Sequence, residues 1–520
     1  MQAYNVHSYL KKLPFLCFLL LSLLTPPELS AKNSLLAKDN KNRKVTRSGH
    51  KIKALFSPHQ GQEAFGKLYE YISKANDFAH ITVYSWSDED LDEAIKKALL
   101  KEHKPQIKVV LSPHLWRAKK EKLFPRILKL ELMGAEFKVA VKDMHEKFTL
   151  VDDIKLINTS ANFSWGARTR YSENFIFHER KNKRTPFLQD IFSQFTKEFQ
   201  ILWNTGKDIF THDEDLSEEI LMDPLPLKKR PAKVKLFSSS MNFHLKKSLP
   251  SSKRALQGKY YYLKRKKDKN KNPTWTVKNQ LLHLIKNAKK SIYLSLNHLA
   301  IAEVSDALIE AIKKGIEVKF VVDNQEFRRK AKKSALMAKF VKDWKSLKGN
   351  KNKIPPVQVK YYSISPSPYY WLLNHHKFIL IDYHQKGIGT KLFSGSYNIS
   401  KKAELYQFDN MVLYSNRGHR SLYTSFYREF MRLWNLNRPL DDEGKSKRLL
   451  SDEDLFPLLE GHRGELILHF QKPISLNWKE TQRLRRHFVK QIDREFWTNH
   501  EKIKKCRSYF PVEQKFSHCK

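Results

Sequence analysis

One pattern occurs twice in this chain, and this internal duplication constrains the fold more than any other feature. Residues Glu93 to Lys97 read Glu-Ala-Ile-Lys-Lys, and Glu310 to Lys314 repeat them letter for letter. Each copy lies in a helix-like stretch that follows a strand-like run. Solenoids repeat many times at short regular intervals, whereas here one long unit recurs once, so the sequence predicts two similar domains.

Strand-like and helix-like segments alternate in the same order in both halves. The matching strands are 81–86 and 292–296, then 107–111 and 316–322, then 136–141 and 357–363, with helix-like segments at 118–133 and 327–347. Alternation of this kind is typical of α/β units. We therefore predict an α/β fold with mixed, largely parallel sheets.

Three aromatic residues spaced four apart close each half, and an asparagine follows each set. They are Phe195, Phe199 and Trp203 in the first half and Phe426, Phe430 and Trp434 in the second. Side chains at this spacing lie along one face of a helix. We interpret them as core packing and assign them no catalytic role.

The regions outside the repeat differ in composition. We predict a signal peptide at 1–31, a linker at 32–52, a first domain at 53–206, a linker at 207–232, a second domain at 233–436 with a basic insert near 246–271, and a C-terminal extension at 437–520 without a counterpart in the first half. The insert is either a solvated loop or a binding segment for phosphate polymers or acidic membranes. Cys506 and Cys519 either pair or remain free thiols.

The first residues have the layout of a secretory signal peptide. Lys11 and Lys12 precede an apolar stretch from Leu13 to Leu24, which Pro26 ends. The stretch is shorter than the roughly 20 residues of a membrane span. The sequence therefore predicts an exported protein, periplasmic or secreted, with an uncleaved membrane anchor as the alternative.

Each half contains the string H-x-K-x4-D. The first copy is His145, Lys147 and Asp152, and the second is His375, Lys377 and Asp382. Residues two apart on a strand project from the same face, so each histidine shares a face with its lysine. The aspartate comes seven residues after the histidine and falls on the other face. We therefore interpret Asp152 and Asp382 as structural anchors.

A serine, an asparagine and a carboxylate follow each string at matching distances. The residues are Ser160, Asn162 and Glu173 in the first half and Ser396, Asn398 and Asp409 in the second, with 13 residues from serine to carboxylate in both. Other H-x-K strings, for example at His244 and His500, lack the aspartate and the downstream residues. A duplicated constellation is far more specific than one short motif, and it indicates a functional site.

The two constellations resemble the motifs of the phospholipase D superfamily, the HKD phosphodiesterases, over residues 53–436. The resemblance implies two α/β domains packed about a pseudo-twofold axis, with both histidines in one cleft. Thr159 departs from the glycine common in this family, which Gly395 keeps, and Asp409 replaces a longer glutamate. The signal region, the basic insert and the extension lie outside the resemblance.

The resemblance also implies a role for each residue. One histidine attacks phosphorus and forms a phosphohistidine while the other protonates the leaving alcohol, and the comparison favours His145 as nucleophile and His375 as acid. Glu173 would hold the second ring nitrogen of His145, and Asp409 that of His375. No metal or other cofactor is needed, since lysines supply the positive charge. The groups expected to bind phosphoryl oxygens are Lys147, Lys377, Asn162, Asn398, Ser160 and Ser396.

Two classes of phosphodiester fit the sequence, because a net charge of +43 favours nucleic acid and anionic lipid alike. The leading hypothesis is a monomeric phospholipase D-like enzyme that hydrolyses or exchanges a phospholipid head group. Tyr369, Tyr370 and Trp371 are of the residue types found at membrane surfaces. The alternatives are a secreted metal-independent nuclease, a cardiolipin-synthase-like phosphatidyl transferase and a catalytically dead basic binding protein.

Overall fold

The computed structural model describes residues 50–169, 171–180, 190–210, 234–249, 251–253, 261–323, 357–360, 373–435 and 467–469, with positions 336, 340, 343–344 and 346–347. The predicted signal peptide, most of both linkers, Tyr369 to Trp371, and Cys506 with Cys519 lie outside the described residues. So does the predicted extension apart from 467–469. The described residues all belong to one compact unit, so the two halves pack together.

The first half alternates strands and helices as predicted. Its elements are β1 (Lys51–Ser57), α1 (Gly61–Ser73), β2 (Phe78–Val83), α2 (Asp90–Leu99), β3 (Gln106–Leu111), α3 (Pro113–Leu132), β4 (Ala135–Val139), β5 (Asp143–Met144), β6 (Phe148–Val151), β7 (Lys155–Thr159), α4 (Trp165–Thr169), β8 (Glu173–Glu179), α5 (Ile191–Thr205) and β9 (Lys207–Asp208). Local signals set several boundaries. For example, Ser112 caps α3 by accepting a hydrogen bond from the backbone of His114, and Pro113 occupies the first turn.

The second half repeats the order of the strands that build the eight-stranded sheet. Its elements are β10 (Val234–Ser238), β11 (Phe243–Lys247), β12 (Tyr261–Arg265), α6 (Thr276–Lys286), β13 (Ser291–Leu296), α7 (Ala302–Lys313), β14 (Glu317–Asp323), β15 (Val357–Lys360), β16 (Lys377–Ile381), β17 (Lys391–Gly395), α8 (Lys401–Leu405), β18 (Gln407–Phe408), β19 (Asn410–Tyr414), α9 (Arg420–Asn435) and β20 (Ile467–His469). Before α6 the second half adds a short 3₁₀ helix (Ser239–Asn242) and a hairpin, β11 and β12, while β5 and β18 lack a counterpart strand among the described residues of the other half and pair with each other.

Two eight-stranded sheets have the same topology, which confirms the duplication. Their strand orders are β1-β8-β7-β6-β2-β3-β4-β9 and β10-β19-β17-β16-β13-β14-β15-β20. The last strand of the second sheet corrects the expectation that the extension has no counterpart in the first half. This strand, β20, belongs to the extension, and it pairs with β15 as β9 pairs with β4. The extension therefore does contain a counterpart to the first half. Strand pairing uses backbone groups, so the two edge strands need no similarity in sequence.

The sheets are mixed, as predicted, but the parallel part is smaller than the alternating pattern suggested. Within the two eight-stranded sheets only β2-β3-β4 and β13-β14-β15 run parallel among the described strands, and the remaining pairs are antiparallel. Outside these sheets, the short strands β5 and β18 also pair in parallel. The parallel strands are joined by helical crossovers. The strand of each H-x-K-x4-D string, β6 or β16, is joined to the next strand by a connection too short for a crossover, 152–154 or 382–390, and pairs with it antiparallel.

Each sheet has one hydrophobic core on its outer face and another on its inner face. The outer faces pack against helices, for example Val109 and Leu111 of β3 against α1 to α3, while Val110 points to the opposite side. The inner faces of both sheets meet in a shared core with α5 and α9, which contains the predicted aromatic helix faces. Phe195, Phe199, Phe426 and Phe430 are buried there, which confirms their packing role. Among the described helices, none combines the length and apolarity needed to cross a membrane.

Candidate active site

The aspartates of the two H-x-K-x4-D strings hold the starts of neighbouring strands. Asp152 accepts hydrogen bonds from the backbone N–H groups of Asn76, Asp77 and Phe78, at 2.8–2.9 Å. Its φ of 52° lies in the left-handed region, which aspartate tolerates better than most residues. The carboxylate thus joins the end of β6 to the start of β2.

Asp382 does the same in the second half. It has a φ of 50° and accepts from the backbone of Lys289, Lys290 and Ser291, at 2.7–3.2 Å. Both aspartates therefore have the anchoring contacts that parity in the sequence predicted, and their hydrogen bonds are to backbone rather than to the histidines.

The histidines of the two strings meet at the junction of the halves. The ring centroids of His145 and His375 are 6.4 Å apart, and the residues are 4% and 8% exposed. Backbone bonds across the junction position them, because His145 N donates to Phe408 O and His375 N donates to Ser172 O. Two imidazoles at this separation can act on opposite sides of one phosphorus atom.

Each histidine is oriented by a carboxylate from the other half. His145 Nδ1 lies 2.8 Å from Asp409 Oδ1, and His375 Nδ1 lies 2.7 Å from Glu173 Oε1. The resemblance implied Glu173 for His145 and Asp409 for His375, and the structure corrects this pairing, because each carboxylate crosses to the histidine of the other half. The crossed arrangement directs both Nδ1 atoms to carboxylates and leaves each Nε2 for chemistry.

The serines have a different place from the one expected. Ser160 Oγ donates to Glu173 Oε2 at 2.6 Å and accepts from Asn174 N, and Ser396 Oγ donates to Asp409 Oδ1 at 2.9 Å and accepts from Asn410 N. A hydroxyl has one proton to donate. Because that proton goes to the orienting carboxylate, the serines position the histidines through the carboxylates and do not donate to phosphate.

The lysines are fully buried beside the histidines. Lys147 Nζ and Lys377 Nζ donate to the backbone oxygens of His145 and His375, at 2.6 and 2.8 Å. Burial, followed by repulsion from Lys377, lowers the pKa of Lys147 well below its ordinary value. Burial lowers the pKa of Lys377 to about 7. Two cations held this close favour an anion between them.

The two histidine–carboxylate pairs differ electrostatically. Burial raises the pKa of Asp409 to about 8, although both lysines oppose the shift. Burial acts on Glu173 in the same sense, but His375 and Lys377 overcome it and lower the pKa of Glu173. Glu173 is therefore the better ionised partner at neutral pH. Burial lowers the pKa of His145 well below 6.5, and the pKa of His375 to about 4.

Asn162 and Asn398 follow the serines by two residues and are half-buried. In each, the Oδ1 atom is buried without a hydrogen-bond partner. A side-chain amide can turn to present either its oxygen or its NH₂ group. Each amide therefore has a buried polar atom that a phosphoryl group could satisfy, and the phosphate-binding role of both residues stays a prediction.

Thr159 and Gly395 occupy equivalent places at the ends of β7 and β17. A Cβ atom on Gly395 would lie 2.2 Å from Asn410 O, so glycine is required there. Thr159 instead donates its Oγ1 proton to Asn174 O at 2.8 Å. The same hydroxyl accepts from Ala161 N at 2.9 Å, so the first half accommodates the departure from glycine with two added hydrogen bonds.

A buried acidic pair that the sequence did not reveal lies behind His145. Glu146 and Glu198 are both buried and close enough for Glu198 to raise the pKa of Glu146, and the Oε1 atom of each has no hydrogen-bond partner. Asn410 Nδ2 donates to Glu146 at 3.2 Å, while Ser238 and Ser240 donate to Glu198 at 2.8 and 2.6 Å. Two facing carboxyl oxygens without another donor must share a proton.

The second half has a different pair at the equivalent place. His376 Nε2 lies 3.1 Å from Glu429 Oε1, and Arg432 donates to the same carboxylate. Burial alone would raise the pKa of Glu429, but Arg432 and His376 lower it to about 2. Glu198 and Glu429 each directly precede the second aromatic residue of the terminal helix. A glutamate at the same position of both helices was therefore the sequence pattern that could have revealed the Glu146–Glu198 and His376–Glu429 pairs.

The Glu146–Glu198 pair makes stability depend on pH. Burial raises both pKa values above the ordinary 4.5, so the folded state holds a proton that the unfolded state releases. Stability from this pair is complete below about pH 4.5 and falls as the pH rises towards the folded-state pKa. We expect Glu146→Gln, which donates without titrating, to flatten the decline of the thermal midpoint between pH 5.5 and 8.5.

The matched control is Glu429→Gln. The Glu429 carboxylate is ionised throughout this range, so its loss should lower the thermal midpoint by a similar amount at every pH. If wild type and Glu146→Gln show equal slopes, the two glutamates do not share a proton.

The two halves place different kinds of side chain beside the histidines. The Tyr84 ring lies 4.5 Å from the ring of His145 and 4.7 Å from Lys147 Nζ, and it stacks on His114 at 5.7 Å. Asn297 takes the corresponding place after β13 and donates to Asn374 O. The first half thus presents an aromatic wall and the second a polar one. Tyr84 and Asn297 differ in residue type at equivalent positions, so the sequence repeat did not point to either of them.

No three His, Cys, Asp or Glu side chains in the described part of the chain converge in a way that could hold a metal ion. The positive charge at the histidines comes from Lys147 and Lys377.

The fold and the paired motifs define a duplicated α/β phosphodiesterase-like protein. The family described as "Cardiolipin synthase, PLD-like domain" matches residues 68–203 and 281–434, more than half of the chain. The protein therefore belongs to the phospholipase D superfamily, with one family repeat in each half.

Individual relatives are more distant. A phospholipase D of Rickettsia prowazekii is 27% identical over 149 residues, which cover 28% of this chain and 68% of that protein. A phospholipase D of Rickettsia typhi is 26% identical over 151 residues, which cover 28% and 69%. The structure of phosphatidylserine synthase from Haemophilus influenzae superposes with a TM-score of 0.48 at 11% identity, over 75% of this chain and 87% of that one.

Proposed function

We propose that this protein is a phospholipase D-like hydrolase that cleaves the head-group phosphodiester of a phospholipid. The observation that carries the proposal is the meeting of His145 and His375, each oriented through Nδ1 by a carboxylate of the opposite half. Similarity to two proteins named phospholipase D supports a lipid substrate. Family membership supports phosphodiester chemistry in general.

In the first step His145 Nε2 attacks phosphorus. A P–N bond forms and the P–O bond to the head-group alcohol breaks, while His375 gives its Nε2 proton to the leaving oxygen. The electrostatics favour this assignment. Burial and two lysines keep His145 neutral and nucleophilic. Burial also lowers the pKa of His375, to about 4, but Glu173 opposes that shift, so His375 is the histidine whose protonation is better supported.

In the second step His375 takes a proton from water, and the water oxygen attacks phosphorus. The P–N bond breaks, His145 is restored, and phosphatidate leaves. An alcohol in place of water would give exchange of the head group by the same path. Lys147 and Lys377, with Asn162 and Asn398, would stabilise the charge that develops on the phosphoryl oxygens in both steps.

The proposal is tested with the purified full chain and four substrates: labelled phosphatidylcholine, phosphatidylglycerol, single-stranded DNA and double-stranded DNA, each with a chelator present. We expect release of a lipid head group and no DNA cleavage. The doubly substituted His145→Ala/His375→Ala protein, prepared in the same way, controls for contaminating enzymes. Cleavage of DNA without release of a head group would overturn the lipid proposal in favour of a nuclease.

A further inference from the structure

The hairpin β11–β12 is an addition that the duplicated fold does not need. In the first half β1 ends at Ser57 and α1 begins at Gly61, whereas in the second half β10 ends at Ser238 and α6 begins at Thr276. The hairpin occupies this extra length and pairs only with itself. Since the first half folds into the same sheet without such a hairpin, its residues are available for another role.

One face of the hairpin is strongly basic. In the register of the two strands His244 lies opposite Lys264 and Lys246 lies opposite Tyr262, so these side chains share a face. His244, Lys246 and Lys264 are exposed. Desolvation and the charges of Lys266, Lys246 and Lys264, in that order, lower the pKa of His244. The cations therefore reinforce one another's potential.

Apolar side chains accompany these cations. Leu249 follows β11 and is 74% exposed, and Met241, just before β11, is 36% exposed. Val141 and Tyr406 at the root of the hairpin are 56% and 54% exposed. A surface that enters the boundary between lipid head groups and acyl chains typically combines exposed apolar residues with lysines.

Contacts at its root tie the hairpin to the histidine cleft. Lys142 Nζ lies 3.4 Å from the centre of the Phe243 ring, and Lys142 precedes His145 by three residues. Arg265 donates to Leu405 O at 2.9 Å, close to Asp409 in the chain. Ser239 N donates to Asp409 O at 2.8 Å, and the same 3₁₀ segment leads into β11. The hairpin therefore rises beside the segments that carry His145 and its orienting carboxylate.

We propose that the β11–β12 hairpin docks the protein on an anionic phospholipid surface, with Lys246 and Lys264 contacting head groups and Leu249 entering the interface. This rests on the proposed lipid substrate, because docking would place the cleft next to the lipid that it cleaves. A phosphate backbone would satisfy the lysines but offers nothing to Leu249. Phe243, at the root, is buried and covered by Lys142, so it cannot stack on a base. The exposed Tyr406 and the half-buried Tyr262 could do so, and single-stranded DNA is therefore part of the test.

The test uses the full chain and vesicles of phosphatidylglycerol with phosphatidylcholine, compared with phosphatidylcholine alone. Wild type should sediment with the anionic vesicles. Each lysine near an anionic surface contributes about fivefold to partitioning, so Lys246→Ala/Lys264→Ala should weaken binding by about 25-fold. Leu249→Ser should weaken it further at unchanged charge. The matched control is Lys286→Ala/Lys314→Ala, which removes the same charge at the ends of α6 and α7.

A soluble monomeric phosphodiester, bis(p-nitrophenyl) phosphate, separates docking from catalysis. The hairpin variants should turn it over like wild type, which also shows that they fold, while losing hydrolysis of lipid in vesicles. Equal vesicle binding by the hairpin variant and the control would overturn the docking proposal. Loss of single-stranded DNA binding with vesicle binding intact would overturn it in favour of nucleic acid. Vesicle binding without hydrolysis of any lipid by wild type would refute the proposed function and leave docking standing.

Discussion

Replacing either His145 or His375 by alanine should lower kcat for the accepted phosphodiester by about a thousandfold or more, because each removes a group that makes or breaks a bond to the substrate. His145→Ala loses the nucleophile, and His375→Ala loses the proton donor for the leaving oxygen. Both imidazoles are held by carboxylates of the opposite half, so alanine removes an oriented ring and leaves its carboxylate without that partner. Steady-state rates on lipid and on bis(p-nitrophenyl) phosphate measure the effect.

The matched control is His103→Ala, which removes an exposed histidine. It should keep wild-type rates. The two site variants should also differ from each other. With a substrate whose leaving group needs no proton, His375→Ala should accumulate a labelled phosphoprotein, while His145→Ala should not. Full activity in both variants would refute the shared two-histidine site, and a phosphoprotein seen only in His145→Ala would reverse the assigned roles.

Removing the carboxylate of Asp152 or Asp382 should destabilise the protein rather than disable its chemistry. Each carboxylate accepts three backbone hydrogen bonds at the start of a central strand. Hydrogen bonds to a charged group contribute about 1.5–3 kcal/mol each, and alanine is also strained at positive φ. We expect Asp152→Ala or Asp382→Ala to lower the thermal midpoint by about 5–10 °C.

Asparagine separates the two contributions, since it tolerates the left-handed conformation and retains one accepting oxygen. Asp152→Asn should therefore lose less stability than Asp152→Ala. At a temperature where the variants are folded, kcat should stay within a few-fold of wild type. A large loss of kcat without a shift of the thermal midpoint would show that the aspartate acts in the chemistry.

Much of the fold could be predicted from local patterns. The alternation of strands and helices, the duplication and the aromatic helix faces are all recorded in residue spacing, and all are present in the structure. Whether neighbouring strands run parallel or antiparallel was harder to predict, because a short apolar run has the same sequence pattern in both kinds of sheet. The edge strand β20 was not recognised because backbone pairing requires no particular sequence.

Some residues of the site could likewise be identified from the sequence, whereas the contacts of others became known only from the structure. Spacing along the chain was enough to single out His145, Lys147, their second-half counterparts and the anchoring role of the two aspartates. The hydroxyl of Ser160 was assigned to phosphate because its type fits such a role, but its proton goes to Glu173. Glu146 and Glu198 stayed hidden because a charged residue in a sequence is usually exposed, and only packing shows that these two face each other.

The sequence alone establishes that the chain carries two copies of a His-Lys constellation, each with a serine, an asparagine and a carboxylate at fixed intervals. Which carboxylate orients which histidine is decided by tertiary structure. His145 and Asp409 are 264 positions apart, and His375 and Glu173 are 202 apart. Periodicity reports which residues share a face of one strand, but not which faces of two sheets meet. The pseudo-twofold packing of the halves brings each histidine to the carboxylate of the other and makes two repeats into one site.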